Sequence, residues 1–198
     1  TGGTDQESGR QLYERIEDAR QRPRTSGNGW DFRGWALEVA GIGAAKVVEL
    51  VDGPGTVGLT LVDSTYAPAS PEMVEAVLAN IMTKKPIGAT PTVEAAATLE
   101  ITVSATVTVQ GTTLDEVKRE LTAGLTGYLG TLIKNKYGRI YYGPDKDLPY
   151  TLVYNRVLAI LLNIKGVENF SVLTVNGGEA DISIPADSIP ILQEVIVT

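Results

Sequence analysis

The chain has no cysteine and no histidine, and only two methionines and two tryptophans among its 198 residues. Without cysteine there is no thiol nucleophile, no thiolate metal site and no disulfide. Without histidine the commonest general base and metal ligand is missing. Catalysis would have to rest on carboxylate, lysine, tyrosine or serine chemistry, each needing a dedicated constellation. The lack of disulfides fits folding in a reducing compartment. No apolar run approaches the ~18 residues of a membrane span, and no basic start followed by an apolar stretch marks a signal peptide. Positive charge is in deficit too: 17 Lys and Arg stand against 24 Asp and Glu, a net charge of −7. Such a field repels phosphate backbones and argues against a nucleic-acid partner, while it serves solubility. The chain opens at Thr1 and is expected to be a portion of something longer.

What is present supports a folded α+β protein. A hydrophobic content of 43% is enough for a real core. Thr4-Asp5-Gln6-Glu7 fits a capping box and predicts a helix to about residue 22, with Leu12, Ile16 and Ala19 as its apolar stripe. Asn28 caps a second helix in which Phe32, Trp35, Ala36 and Val39 share one face, and Gly41 and Gly43 end it. Two strands follow, over residues 45–51 and 56–62, joined by Asp52-Gly53-Pro54-Gly55. Val57, Leu59 and Leu61 lie on one face of the second. Ser70-Pro71 starts a third helix with Val74, Val77, Leu78 and Ile81 as its stripe. Lys84 and Lys85 suit its negative end, and Pro86 terminates it.

Residues 98–110 alternate without exception between polar even positions and apolar odd ones, from Leu99 to Val109. This predicts one long strand with a core face and an open face. At roughly 3.4 Å per residue it would run over about 40 Å, so a bend or a protruding end is expected. Thr113 to Glu116 opens a helix to about residue 135, with Leu114, Val117, Leu121, Leu125, Tyr128 and Leu132 as its stripe. Gly124, Gly127 and Gly130 interrupt it, each at about 1 kcal/mol relative to alanine, so either another backbone approaches that ridge or the helix kinks. Residues 137–149 read as irregular. Pro149 then opens a fifth helix carrying Val153, Val157, Ile160, Leu161 and Ile164, which Gly166 ends. A strand over 167–175 turns at Asn176-Gly177-Gly178 into a return strand over 180–184, and Val195 and Val197 suggest a final edge strand. The two halves read alike: two helices, a glycine, a strand, a glycine-rich turn and a strand, over about 5–62 and 113–184. Duplication and chance arrangement are equally good accounts. The expected architecture is α+β in two small lobes, 1–90 and 91–198, each with helices on antiparallel hairpins.

No constellation for chemistry emerges. Gly41-Ile42-Gly43 follows a helix and precedes a strand, the reverse of what phosphate binding requires, and Gly53-Pro54-Gly55-Thr56 lacks the lysine of a phosphate loop. Asp145 and Asp147 are too few for a calcium cage and read as solvated loop charge. Asn169-Phe170-Ser171 matches a glycosylation sequon by residue type but falls in a strand. Catalytic, cofactor-binding and metal residues are therefore expected to be none. Phe32 and Trp35 read as core, while Trp30 is off the stripe. Tyr137, Tyr141 and Tyr142 lie in the irregular segment, where partner contact and local packing are equally good readings.

Several segments together resemble one family. Gly2-Gly3-Thr4-Asp5-Gln6-Glu7-Ser8 before an arginine-rich helix, Trp35-Ala36-Leu37-Glu38-Val39, Gly53-Pro54-Gly55-Thr56-Val57, Lys84-Lys85-Pro86-Ile87-Gly88-Ala89, Gly166-Val167-Glu168 and Ile189-Pro190-Ile191-Leu192 resemble baseplate J-like proteins in order along nearly the whole chain. The resemblance implies a non-enzymatic wedge subunit of a contractile-tail baseplate, of the Mu-like phage or prophage kind. It implies other wedge and hub proteins as partners, with self-association open, and neither nucleic acid nor membrane. It also implies a place in the virion tail, reached from the host cytoplasm during assembly. Residues 137–149 look longer than is usual for the family. Two other classes stay open: a small-ligand-binding or regulatory α+β module, and a carboxylate-based hydrolase.

Overall fold

The computed structural model describes residues 27–198 together with Gly9, Leu12, Tyr13, Ile16, Glu17 and Arg20. Those six are helical; the Thr4–Glu7 capping pattern and Ala19 lie outside the described residues. Helix α1 spans Gly29–Leu37. The Asn28 side chain accepts the Asp31 N–H at 3.0 Å, and the Asp31 carboxylate accepts the Gly27 and Asn28 N–H groups in return. Phe32 and Ala36 are fully buried, and the Phe32 and Trp35 rings meet edge to face at 5.1 Å.

Strands β1 (Ile42–Glu49) and β2 (Thr56–Asp63) form the expected antiparallel hairpin. Helix α2 (Pro71–Met82) follows, with the Ser70 side chain accepting the Met73 N–H. The alternating run is preceded by a short strand of its own. Strand β3 (Thr90–Ala95) pairs parallel with β2, the chain crosses at buried Ala96, and β4 (Ala97–Val109) enters a second sheet. The crossing is fixed at both ends, by Ala96 N–H to the Leu61 carbonyl and Ala97 N–H to the Asp187 carbonyl. β4 itself runs unbroken for 13 residues, with Ile101, Val103 and Ala105 buried.

Helix α3 (Leu114–Tyr137) starts at the predicted Thr113–Glu116 capping box. The segment after it is more regular than its sequence suggests. It forms β5 (Ile140–Tyr142), a 3-10 turn (Gly143–Asp147) and β6 (Tyr150–Leu152). β5 adds parallel to β1, so the first sheet has the order β3-β2-β1-β5. Pro149 therefore precedes a strand, and helix α4 (Tyr154–Leu162) begins five residues later.

Strands β7 (Val167–Val175), β8 (Ile182–Ile184) and β9 (Ser188–Val197) complete the chain. β7 and β8 do not form the expected hairpin. The turn is made, with Asn176 and Gly177 both at positive φ, but β4 supplies the ladder for β7 and β8 pairs with β6. Asn176 explains the choice. Its side chain accepts the Thr102 N–H at 2.8 Å and donates to the Glu100 carbonyl at 3.1 Å, which ties the turn to β4. The αα-ββ likeness of the two halves thus stops at element order. β9 lies parallel to β4 on its other side, giving the sheet β7-β4-β9. Three of the pairings are parallel, so the sheets are mixed where antiparallel hairpins alone were expected.

Three cores result. α1 and α2 cover one face of the first sheet through Val47, Leu59, Leu61, Val77 and Ile81. α3 and α4 cover the second sheet through Ile101, Val103, Leu121, Leu125, Leu161 and Val195. The third joins the two sheets: Ala44 and Val62, on the back of the first, meet Ile133 and Tyr137 of α3 and Ile189 of β9. Both faces of the first sheet are therefore covered, where alternation in β2 pointed to one.

Candidate interaction site at the junction of the sheets

The back of the first sheet carries a buried charge. Lys46 of β1 is 1% exposed. Its ammonium donates to the Lys146 carbonyl at 3.1 Å, to the Ala186 carbonyl at 3.2 Å and to the Asp187 carboxylate. An ammonium has three N–H donors, so all are used. The group thus pins the 3-10 turn and the β8–β9 connection onto β1. The sequence Ala44-Ala45-Lys46-Val47-Val48 reads as a strand with one solvated position, and nothing local signals these partners. Lys146 answers by donating to the Val51 carbonyl at 2.9 Å. Asp145 and Asp147 remain loop residues, and among the described residues no three of His, Cys, Asp and Glu gather as a metal set.

The three tyrosines occupy three different environments. Tyr137 is fully buried in the third core, and its hydroxyl donates to the Asp187 carbonyl at 3.3 Å. Burial, then the neighbouring Tyr150 and Asp187, push its phenol far above the usual range. Tyr141 is half-buried and donates to the Lys136 carbonyl at 2.8 Å. Tyr142, at 56% exposure, is the one of the three that offers substantial surface. Tyr141 and Tyr142 line a cleft of about 580 Å³ with Lys136, Arg139, Leu148 and Tyr150. Lys136 is 7% exposed; its Nζ donates to the Leu148 carbonyl at 2.7 Å and sits 4.5 Å from the Tyr141 ring and 5.7 Å from that of Tyr150. Burial, then repulsion from Lys46, push its pKa down. Lys136 lies in the last helical turn, where a cation suits the dipole, and only the packing of β5 and β6 over it reveals a recess.

Two other surfaces stand out. On β4, Glu100, Thr102, Ser104, Thr106 and Thr108 face away from the second core and stay at least partly exposed, flanked by exposed Val172 of β7 and Ile196 of β9. At the far end of the first sheet, Leu50 and Ile87 project fully or largely into solvent from neighbouring loops.

Comparison with known proteins gives this geometry its setting. Residues 24–95 match the baseplate J-like central domain, and residues 101–198 the baseplate J-like protein C-terminal domain. The phage-like element PBSX protein XkdT of Bacillus subtilis (strain 168) is 28% identical over 201 residues, 98% of this chain and 54% of that protein. Baseplate protein gp47 of Escherichia phage Mu is 42% identical over 62 residues, 31% of this chain and 17% of that protein. The chain thus spans about half the length of XkdT. Among solved structures, a chain of the anti-feeding prophage baseplate, determined by cryo-EM, superposes with a TM-score of 0.61 at 12% identity, over 99% of this chain and 43% of that one. At that identity the likeness is one of fold. With two domains of one family matched in succession from residue 24 to the last, the chain belongs to the baseplate J-like family of phage and prophage baseplate proteins.

Proposed function

We propose that the chain is a structural wedge component of a contractile-tail baseplate, acting in tail assembly through protein–protein contacts and catalysing no reaction. The reading is carried by the succession of two baseplate J-like domains along the chain. In it, other wedge and hub proteins are the partners, the tail baseplate of the particle is the destination, and the host cytoplasm is where assembly occurs. The chain works as two lobes, residues 1–90 and 91–198 with β3 lent across the boundary. The Ala96 crossing, β5 and Lys46 set their mutual orientation. Contact surfaces are the open polar face of β4 and the cleft rim at Tyr142.

The test is a reconstruction of tail particles from a host expressing the full-length protein with its tail proteins. The expected result is density for this fold in the baseplate. Particles complete in every other respect but lacking that density would end the proposal.

A further inference from the structure

The cleft at the end of α3 holds two cations and no bonded counter-charge. Lys136 has three N–H donors and one carbonyl acceptor, with aromatic faces on its other sides. Neither Lys136 nor Arg139 takes part in an ion pair among the described residues. A buried cation without a carboxylate is held at a desolvation cost that a partner of opposite charge would offset. Burial and repulsion from Lys46 and Arg139 outweigh the attraction of Asp187, which is not bonded to it, and hold the Lys136 pKa below its usual value. Arg139 is exposed and lines the same recess, and Asp145 is the one acidic group on its wall. In a chain of net charge −7 this is a locally cationic, tyrosine-lined hollow. Its apolar wall, from Leu132, Leu148 and Pro149, suits a peptide segment better than a solvated ion.

We propose that this cleft receives an Asp or Glu side chain from a neighbouring protein chain, its carboxylate completing the donors of Lys136 and pairing with Arg139. The inference rests on the wedge reading above and names the chemistry of one contact within it. Arg139 provides a bidentate fork at the rim, Lys136 a point charge at the base, and Tyr142 an exposed face for the residues flanking the acid.

Two measurements test it on the full-length protein. In the first, co-assembly with the other baseplate proteins is titrated for the native protein, Lys136→Met and Arg139→Gln. Each substitution is expected to weaken association at least tenfold, while Lys136→Met leaves the melting temperature unchanged or raises it. Association equal to the native protein's in both variants overturns the proposal and leaves the wedge reading standing. If Lys136→Met does not fold, Arg139→Gln at the exposed rim decides. In the second, NMR spectra are recorded with the blocked tripeptides acetyl-Gly-Glu-Gly-amide and acetyl-Gly-Gln-Gly-amide and with inorganic phosphate. The glutamate peptide is expected to move the Tyr141, Tyr150 and Lys136 signals and the glutamine peptide to leave them. Equal shifts from the glutamine peptide, or larger ones from phosphate, overturn the proposal even if no co-assembly is seen at all, an outcome that by itself would count against the wedge reading.

Discussion

Lys46 and Asp187 form one ion pair with two very unequal members. The lysine is 1% exposed and serves two backbone carbonyls besides the carboxylate, whereas Asp187 is 55% exposed. Losing the lysine strands the Lys146 and Ala186 carbonyls; losing the aspartate charge leaves the buried Lys46 ammonium without its carboxylate. An unsatisfied buried acceptor costs about 1–3 kcal/mol, and a buried charge stripped of its partner costs about 3–5 kcal/mol, less where solvent reaches one side of the pair. Lys46→Met and Asp187→Asn are therefore each expected to lower unfolding free energy by about 2 kcal/mol or more in urea titrations. A loss from Asp187→Asn below about 0.5 kcal/mol would mean that the carbonyl pinning, and not the charge pair, holds the junction. Asp63 organises a different contact. Burial nudges its pKa up, but hydrogen bonds from the Thr65 hydroxyl and the Ala67 and Thr65 amides outweigh that and hold the carboxyl below its usual range. These bonds shape the turn that holds Tyr66 at φ 64° with its ring on Gly130 of α3. Because the folded pKa lies below the unfolded one, this stabilisation is present above about pH 4 and is lost as pH falls through the folded value. Asp63→Asn should cost about 1 kcal/mol at pH 7, reduced by solvent exposure, and progressively less as pH falls through the folded value, measured as urea midpoints along an acid series. A gap that persists in acid would assign the loss to geometry and not to charge.

Elements were legible wherever their signals are local. Asn28, Ser70 and Thr113 sit at the helix starts their side chains predict, because an N-cap needs only the next three residues. Strand pairing is a different matter. The Asn176-Gly177 turn is correctly read, yet β8 leaves for β6, because the competing partners lie some 30 and 70 residues upstream in sequence, roughly, where no local pattern reports them. The glycines of α3 show the same division. Their cost in a helix is visible in the sequence, but their reasons differ one by one. A Cβ on Gly124 would stand 2.6 Å from Ile160 Cγ2 of α4, a stiff β-branched contact; on Gly127 it would meet nothing within 4 Å. The close neighbour at Gly124 is thus a side chain of the facing helix and not a backbone. Gly127→Ala is expected to stabilise the protein by up to about 1 kcal/mol through helix propensity alone. Gly124→Ala has the same propensity gain but must displace Ile160, so thermal melts should rank it below Gly127→Ala by about 1 kcal/mol or more. A reversed order would show that α3 and α4 are loosely seated.

At the scale of the whole molecule the question is whether two lobes are two folding units. The composition and the α+β pattern were enough to anticipate two clusters of helices on sheets, but the third core that joins them was not visible. Its members, Ala44, Val62, Ile133, Tyr137 and Ile189, come from four distant segments, and Tyr137 read as a loop residue although it ends a helix inside that core. Three of these are large and essentially fully buried. At about 1.5–3 kcal/mol for each large apolar side chain, the junction contributes roughly 5–9 kcal/mol as an upper figure. That is comparable with the whole stability of an ordinary domain, about 5–15 kcal/mol. Covalent order adds to it, since β5 from the second half is a strand of the first sheet and α3 runs from one core into another. Neither lobe should therefore unfold while the other stands. The two tryptophans give a built-in readout, because Trp30 and Trp35 both lie in the first lobe, whereas helical ellipticity also reports α3 and α4 of the second. Urea denaturation followed by tryptophan fluorescence and by circular dichroism at 222 nm, a wavelength set by the helical backbone, is expected to give coincident single transitions. Lys46→Met should shift both curves together. If fluorescence moved at a lower urea concentration than ellipticity, the first lobe would be opening by itself. The junction would then be a hinge and not a shared core.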